Sequence, residues 1–272
     1  MIQLQPLAPQ KIAHLDLLID GVDVDVRGAP DVLSALSSIY RRHRTNEIRD
    51  DEMVRGLRVR VTSEQAGAGA NARTASERII NGVAGCNGRY MLRAAALERD
   101  GRALLIGGLP GSGKSTLAIN LLARGWKLLA DDFVLLSADA TTAIAHQALM
   151  TLPARSSPHL PALFRGALEH SRWYTAEGGQ DLRFYEVDPA LVFGAGVWSN
   201  SARLDAIVVL SNSVIDSRVH TIDSDEIHAC FEAAALPVPA LAPHIRVGVT
   251  TPNRAARCAE SLEAWFDAHA TP

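Results

Sequence analysis

The sequence predicts an α/β fold, because a strand, a glycine-rich loop, a helix and a second strand follow one another between residues 102 and 136. A further apolar strand, RLDAIVVL, is predicted at residues 203–210 and fits the same sheet. The chain has 272 residues, of which 47% are hydrophobic and 21% charged. This is enough for one large domain, or for one main domain with a small attachment.

Composition and charge exclude several classes of protein. The net charge is −3 and the sequence pI is about 6.3, so the chain lacks the basic character of a nucleic-acid-binding protein. No apolar run approaches the roughly 18–20 residues that span a membrane, and the first 21 residues do not resemble a signal peptide. The three cysteines lie far apart, at Cys86, Cys230 and Cys258. This spacing suits neither a disulfide framework nor a zinc site, so a reducing cytoplasm is expected.

The first 75 residues predict a small α+β unit. Valines alternate with polar residues up to residue 27, which indicates a strand or a hairpin that turns at Asp20–Gly21. A helix is predicted from Pro30 to His43, and a further strand between residues 56 and 64. The glycine-rich stretch at residues 65–74 indicates a loop or linker. The main domain is then predicted to occupy residues 76–272.

This main domain begins with a predicted helix over residues 76–86, capped by Ser76. Two strands follow between residues 88 and 108 and are joined by a turn at Asp100–Gly101. The next helix, over residues 113–124, ends at Gly125. A strand is predicted within residues 126–136. The proline-rich stretch at residues 153–161 is predicted to be a connector near the ligand edge, with a lid or acceptor groove as the alternative. An amphipathic helix is predicted over residues 253–269.

The loop from Gly108 to Ser115, here called the GKS loop, satisfies the pattern G-x-x-x-x-G-K-[ST]. Its glycines let the backbone approach oxygen atoms closely, and its N–H groups and the following helix N-terminus attract anions. Lys114 is expected to reach the β- and γ-phosphates of a nucleotide, and the Ser115 hydroxyl a Mg²⁺ ion. The predicted nucleotide-binding residues are Gly108, Pro110, Gly111, Ser112, Gly113, Lys114, Ser115 and Thr116.

A pair of aspartates, Asp131 and Asp132, follows the strand after the GKS helix. The carboxyl end of that strand lies at the edge where open α/β sheets bind ligands. Two adjacent carboxylates repel each other unless a proton or a cation separates them. The pair therefore predicts a magnesium ligand, a general base, or both.

Together, the segments GLPGSGKST, LLARG and ADD resemble the HPr kinase/phosphorylase family at matching separations. VDPALVFGAGVW, before the apolar strand at residues 203–210, is similar to a further family segment. The resemblance covers roughly residues 88–212 and implies a P-loop nucleotide-binding domain of the HPr kinase type behind the small N-terminal α+β unit. Arg93 stands where the family usually carries a histidine, and the family's acidic E-I-R-G-like segment has only loose candidates here, Asp181, Arg183 and Glu186.

The resemblance assigns a role to each residue. Asp131 would accept the proton of an attacking serine hydroxyl. Asp132 and Ser115 would ligate magnesium, and Lys114 would hold the β- and γ-phosphates. Arg93 is expected to contact phosphate or to pair with the aspartates.

We therefore expect a kinase that depends on ATP and Mg²⁺ and phosphorylates a serine or similar hydroxyl of a protein or peptide. GTP and pyrophosphate are alternative donors. The alternative functions are a small-molecule kinase and a nucleotide-sensing regulator that transfers no phosphate. Neither nucleic acid nor a membrane is an expected partner, and the sequence is compatible with a homo-oligomer.

Overall fold

A computed structural model describes residues 13–40, 42, 56–61, 67–175, 183–211, 218–222, 245–250 and 255–268. Within these residues the chain has a mixed α/β structure with three β-sheets. The strands are β1 (Ala13–Ile19), β2 (Val22–Gly28), β3 (Gly56–Val61), β4 (Tyr90–Leu92), β5 (Ala95–Arg99), β6 (Arg102–Gly108), β7 (Lys127–Ala130), β8 (Val134–Leu136), β9 (Thr142–Ile144), β10 (Met150–Pro153), β11 (Arg172–Thr175), β12 (Arg183–Val187), β13 (Ser201–Leu210), β14 (His220–Thr221) and β15 (Arg246–Thr250). The helices are α1 (Pro30–Ile39), α2 (Gly67–Asn87), α3 (Lys114–Leu122), α4 (Ala162–Leu168), α5 (Ala190–Phe193) and α6 (Ala255–Asp267), with 3₁₀ turns at Ala154–His159 and Ala195–Val197.

The first sheet has the order β1-β2-β3. Strands β1 and β2 form the predicted hairpin, with its turn at Asp20–Gly21, and α1 begins at Pro30 as predicted. Strand β3 pairs with β2 in the parallel direction. The apolar side chains of this sheet pack with those of α1 and α2 into one cluster, which also includes Phe133 and Leu135 from the strand region after the aspartates. We call this cluster the N-terminal core.

Helix α2 corrects the prediction of a loop at residues 65–74, because the helix begins at Gly67 and runs to Asn87. Alanine is the strongest helix former, and the small side chains of Ala72 and Ala75 are buried in the N-terminal core. Ser76 accordingly lies inside the helix and does not cap it. The predicted boundary after residue 75 falls within α2, and the division of the chain into two units stays a prediction.

The large sheet has the order β4-β8-β9-β13-β6-β5-β7, and β15 also pairs with β13. Strand β13 is parallel to β6 and β15. Strands β5 and β6 form the predicted hairpin, and β5 also pairs antiparallel with β7. Strands β6 and β7, which flank α3 in the chain, therefore run in the same direction with β5 between them.

One face of the large sheet packs against α3 and α6, through side chains such as Leu104 and Ile106. Successive strand residues point to opposite faces, so Ala103 and Leu105 belong to a separate apolar cluster on the other side. The predicted C-terminal helix is confirmed as α6. Its Glu263 accepts hydrogen bonds from Arg124 and Trp126, which fixes α6 beside the end of α3.

The expectations about membrane-spanning segments and about the cysteines can be compared with the described residues. None of the helices found there combines the length and the apolar character needed to cross a bilayer. Cys86 and Cys258 are both free thiols, the first partly buried and the second buried. Cys230 lies outside the described residues.

Candidate functional site

The GKS loop joins the end of β6 to the start of α3, in the predicted strand–loop–helix order. The side chain of Lys114 turns back into the loop, and its Nζ donates hydrogen bonds to the carbonyl oxygens of Gly108 at 2.8 Å and Leu109 at 3.0 Å. Burial lowers the pKa of Lys114, while the charges of Asp132 and Asp131 act in the opposite direction. The loop thus holds a buried ammonium group beside two carboxylates.

The Ser112 hydroxyl provides a second sign that the loop is built for a polar ligand. Its oxygen is shielded from solvent and finds no hydrogen-bond partner among the residues that the structure describes. Buried hydroxyl groups without a partner are uncommon, since burial then costs free energy that no bond offsets. A phosphate oxygen in the loop is the kind of group that such a donor would bind.

Gly108 is the tightest point of the loop. Its φ is +136°, and an added Cβ atom would lie 2.9 Å from the carbonyl oxygen of Leu210 and 2.7 Å from Ser112 Oγ. Gly108→Ala is expected to lower the free energy of unfolding by about 2–3 kcal/mol, measured by denaturant titration. Gly101→Ala is the matched control, because Gly101 also has a positive φ (+74°) but open space around it. Equal losses in the two variants would contradict the proposed steric cause.

Asp131 follows β7 directly and lies at the same sheet edge as the GKS loop, because β6 and β7 end on that side. Its Oδ1 atom accepts a hydrogen bond from the Ser115 hydroxyl at 2.9 Å. The residue is buried, with 7% of its surface exposed. Burial and, next, the charge of Asp132 raise the pKa of Asp131 to about 7, against the opposing effects of Ser115, Arg73 and Lys114.

Because of this raised pKa, Asp131 is expected to lower the free energy of unfolding in a way that depends on pH. The folded protein favours neutral Asp131, whereas the unfolded chain ionises it near its ordinary value of 3.8. The wild type therefore loses stability as the pH rises from about 4 to about 7. Asp131→Asn removes this loss, so we expect the variant to be more stable than the wild type at pH 8 and equally stable below pH 4. Denaturant unfolding at several pH values measures the difference.

Asp139→Asn is a control for which the expected change in stability at pH 8 has the opposite sign. Hydrogen bonds from Ser137 and Thr141 lower the pKa of this exposed turn residue to about 2. A lowered pKa stabilises the fold above the ordinary value of the group, so Asp139→Asn is expected to lose stability at pH 8. If both Asn variants changed stability in the same direction at pH 8, the assigned environment of Asp131 would be wrong.

Asp132 is partly exposed and carries an ion pair that the sequence did not predict. Arg73 of α2 places its Nη2 atom 2.9 Å from Oδ1 and 2.7 Å from Oδ2 of Asp132. Arg93 lies farther away, with Nε at 4.0 Å from Oδ1. The structure thus brings Arg93 near the aspartates but gives the closer contact to Arg73. Asp132 itself has a positive φ of 74°.

The position of Arg93 follows from the strand order. Strand β5 runs antiparallel between β6 and β7, so its first residue lies at the edge where those two strands end. Arg93 precedes β5 by two residues and therefore stands between the GKS loop and the aspartates. Its guanidinium also lies over the ring of Phe133, at 5.8 Å from the ring centroid.

Part of the GKS loop, Asp132 and the arginines near it line a cavity of about 250 Å³, here called the loop cavity, whereas the buried Asp131 is not among its lining residues. Its wall includes four cationic side chains and one carboxylate. Such an excess of positive charge favours an anionic ligand. The lining residues are Arg73, Arg93, Pro110, Gly111, Gly113, Lys114, Ser115, Thr116, Asp132, Thr151, Leu152, Pro153, Arg155, Ser156 and Phe184.

The outer wall of the loop cavity comes from the sheet β10-β12-β11. Thr151 of β10 and Phe184 of β12 both line the cavity. Glu186 is buried and pairs with Thr151 across the two strands, so the two side chains share a face of the sheet. Asp181, the other acidic candidate of this region, lies outside the described residues.

Two arginines that line the loop cavity were not predicted from the sequence to be site residues. Arg73 lies in the stretch that was predicted to be a loop, and Arg155 lies in the proline-rich stretch predicted to be a connector. That connector forms a 3₁₀ turn, and a Cβ atom added to Gly111 would lie 3.1 Å from Arg155 Nη2. The proximity of the connector to the ligand edge was the signal that could have identified Arg155.

The oxygen atoms at the sheet edge suit magnesium. The Ser115 hydroxyl, Asp131 and Asp132 are oxygen ligands of the kind that Mg²⁺ prefers. Burial and, next, the charge of Asp132 raise the pKa of Asp131, so a cation beside the two carboxylates would favour their joint ionisation. The residues present therefore fit a divalent cation, although the individual site roles remain predictions.

Similar proteins are found among solved structures, but not by the two other comparisons. No family model matches the chain, and a search of curated proteins finds no match. Among solved structures, the HPr(Ser) kinase/phosphatase from Coxiella burnetii matches at 16% sequence identity, covering 65% of this chain and 95% of that one, with a TM-score of 0.36. A similarity of this size does not assign an activity to the chain.

Proposed function

We propose that the protein is a kinase that uses ATP and Mg²⁺ to phosphorylate a serine, or a similar hydroxyl group, of a protein or peptide. The hydrogen bond between Ser115 and Asp131 is the observation that carries this proposal. It joins the GKS loop to a buried carboxylate at 2.9 Å. A phosphate-binding loop with a general base beside it is the arrangement that hydroxyl phosphorylation requires.

On the donor side, the chain binds and orients the nucleotide. The GKS loop amides and Lys114 hold the β- and γ-phosphates, and Arg93 and Arg155 add positive charge around them. Magnesium, held by Ser115 and Asp132, would offset the negative charge of the phosphates when bound. Phosphoryl transfer needs little covalent participation from protein, so positioning and charge supply most of the rate.

On the acceptor side, Asp131 receives a proton. The acceptor hydroxyl loses its proton to the Asp131 carboxylate while its oxygen bonds to the γ-phosphorus. The bond from that phosphorus to the β–γ bridging oxygen breaks, and ADP leaves with the bonding electrons. The pKa of Asp131, raised to about 7, suits a base that works near neutral pH.

The sheet β10-β12-β11 favours an extended acceptor. Two of its strands line the loop cavity, and its third strand, β11, carries Trp173 with 52% of its surface exposed. Arg183 lies over the Trp173 ring at 4.4 Å from the centroid. An exposed aromatic and cationic pair on this small sheet suits a peptide segment, because aromatic and arginine side chains anchor protein contacts.

Transfer of label from γ-labelled ATP tests the proposal. The wild type with Mg²⁺ is incubated with a cell extract and with proteins encoded by neighbouring genes, and Lys114→Ala serves as the inactive reference. Acid-stable label on serine in the wild-type reaction alone would support the kinase. Label on a small molecule alone would favour the small-molecule kinase. ATP binding without any labelled product would favour the nucleotide sensor.

A further inference from the structure

The side chain that holds Asp132 belongs to the N-terminal part of the chain. Arg73 places a single nitrogen, Nη2, between the two carboxylate oxygens of Asp132, at 2.9 Å and 2.7 Å. Arg93 is 4.0 Å from the nearer oxygen, beyond hydrogen-bond distance. The same side chain of Arg73 lines the loop cavity together with Lys114 and Ser115. Arg73 therefore faces both the carboxylate and the space where phosphate groups would lie.

Packing within the N-terminal core fixes the part of α2 from which the Arg73 side chain extends. On either side of Arg73, Ala72 and Ala75 of α2 are buried, and α2 packs closely against α1. Tyr40, which ends α1, is also fully buried. Burial raises the pKa of Tyr40, and the charge of Asp132 acts in the same direction, which places the ring near this carboxylate. The ion pair between Arg73 and Asp132 thus connects α2 directly to this carboxylate.

The charges in the loop cavity make a partner exchange at Arg73 favourable. The GKS loop and Lys114 hold the β-phosphate of a diphosphate and of a triphosphate alike, and Lys114 also reaches the γ-phosphate when one is present. Only a triphosphate adds a further dianionic group on the Asp132 side. A guanidinium binds phosphate through charge-assisted hydrogen bonds at least as well as it binds a carboxylate. The terminal phosphate therefore competes with Asp132 for Arg73.

We propose that Arg73 makes the loop cavity selective for nucleoside triphosphates, because its guanidinium leaves Asp132 and binds the terminal phosphate. The exchange frees Asp132 to ligate a metal ion. It also transmits the state of the nucleotide to the N-terminal core through α2. This inference rests on the proposed function for the presence of a nucleotide, but it concerns binding and needs no phosphoryl transfer.

Equilibrium binding of a non-hydrolysable ATP analogue and of ADP, each with Mg²⁺, tests this selectivity. Arg73→Ala is expected to weaken binding of the ATP analogue about 10- to 100-fold, since a charged hydrogen bond to phosphate is lost. Affinity for ADP is expected to stay within about threefold. Arg73→Lys keeps the charge and should restore part of the difference. Arg78→Ala, an exposed arginine on the same helix, is the matched control and should bind like the wild type.

Hydrogen exchange of α2 provides a second readout that activity does not influence. The ATP analogue, but not ADP, should change exchange rates in residues 72–87 of the wild type, and Arg73→Ala should abolish the change. An equal loss of affinity for both nucleotides in Arg73→Ala, or no loss, would overturn the inference while leaving the kinase intact. A wild type that binds neither nucleotide would overturn the proposed function and the inference together. Thermal unfolding of each variant verifies that it is folded.

Discussion

Asp131→Asn is expected to slow phosphoryl transfer about 100- to 10,000-fold while leaving the affinity for ATP within a few fold. The substitution keeps the size of the side chain and an oxygen that can accept the Ser115 hydrogen bond. It removes the carboxylate that takes the acceptor proton. Single-turnover transfer of labelled phosphate measures the rate, and equilibrium binding measures the affinity.

Two further measurements separate a general base from a merely structural residue. The wild-type rate should fall as the pH is lowered through about 7, because protonated Asp131 cannot accept a proton. Asp139→Asn changes an exposed turn and should transfer phosphate at the wild-type rate. Normal transfer by Asp131→Asn would remove this residue from the mechanism. A regulatory output that survived Asp131→Asn, in a protein without transfer, would support the nucleotide sensor.

Lys114→Ala is expected to weaken nucleotide binding about 100- to 1,000-fold, since a charged hydrogen bond to phosphate and the attraction of a buried positive charge are both lost. The geometry supports a large effect, because this ammonium group already bonds to the loop carbonyls of Gly108 and Leu109 and has only 8% of its surface exposed. Its donors are therefore held within the loop before any ligand arrives. Titration with a fluorescent ATP analogue measures the loss.

Lys127→Ala is the matched control for this substitution. Lys127 starts β7, at the opposite end of the strand from Asp131, and its Nζ atom lies 3.6 Å from Glu98. Its removal should leave nucleotide affinity unchanged. If both lysine variants bound ATP like the wild type, the GKS loop would not be a phosphate site. Thermal unfolding shows whether removal of the buried charge at Lys114 has altered the fold.

Local sequence signals predicted most elements of the fold. Alternating valines and turn residues identified the β1–β2 hairpin, and Pro30 identified the start of α1. The apolar strand and the glycine pattern located β6 and α3, and the spacing to Asp131 placed the aspartates at the same sheet edge. These signals act within about 20 residues of one another, so a pattern in the sequence can express them.

Relations between distant segments were not predictable in this way. Nothing in the pattern of β5 shows that it lies between β6 and β7, although this order brings Arg93 to the site. The contact between Arg73 and Asp132 joins residues 59 positions apart. It depends on α2, whose glycines obscured the helix that its alanines form. The partners of a charged side chain are set by packing, and packing is not periodic in sequence.

The N-terminal core also has a consequence for how the chain folds. Phe133 and Leu135 are buried in this core, although its other buried members lie between residues 15 and 84. During synthesis the first sheet and its helices therefore expose an apolar face until about fifty further residues have left the ribosome. Asp131 and Asp132 immediately precede Phe133 in the chain. The step that buries Phe133 and Leu135 in the core of the early segment is thus also the step that delivers the two carboxylates to their final positions.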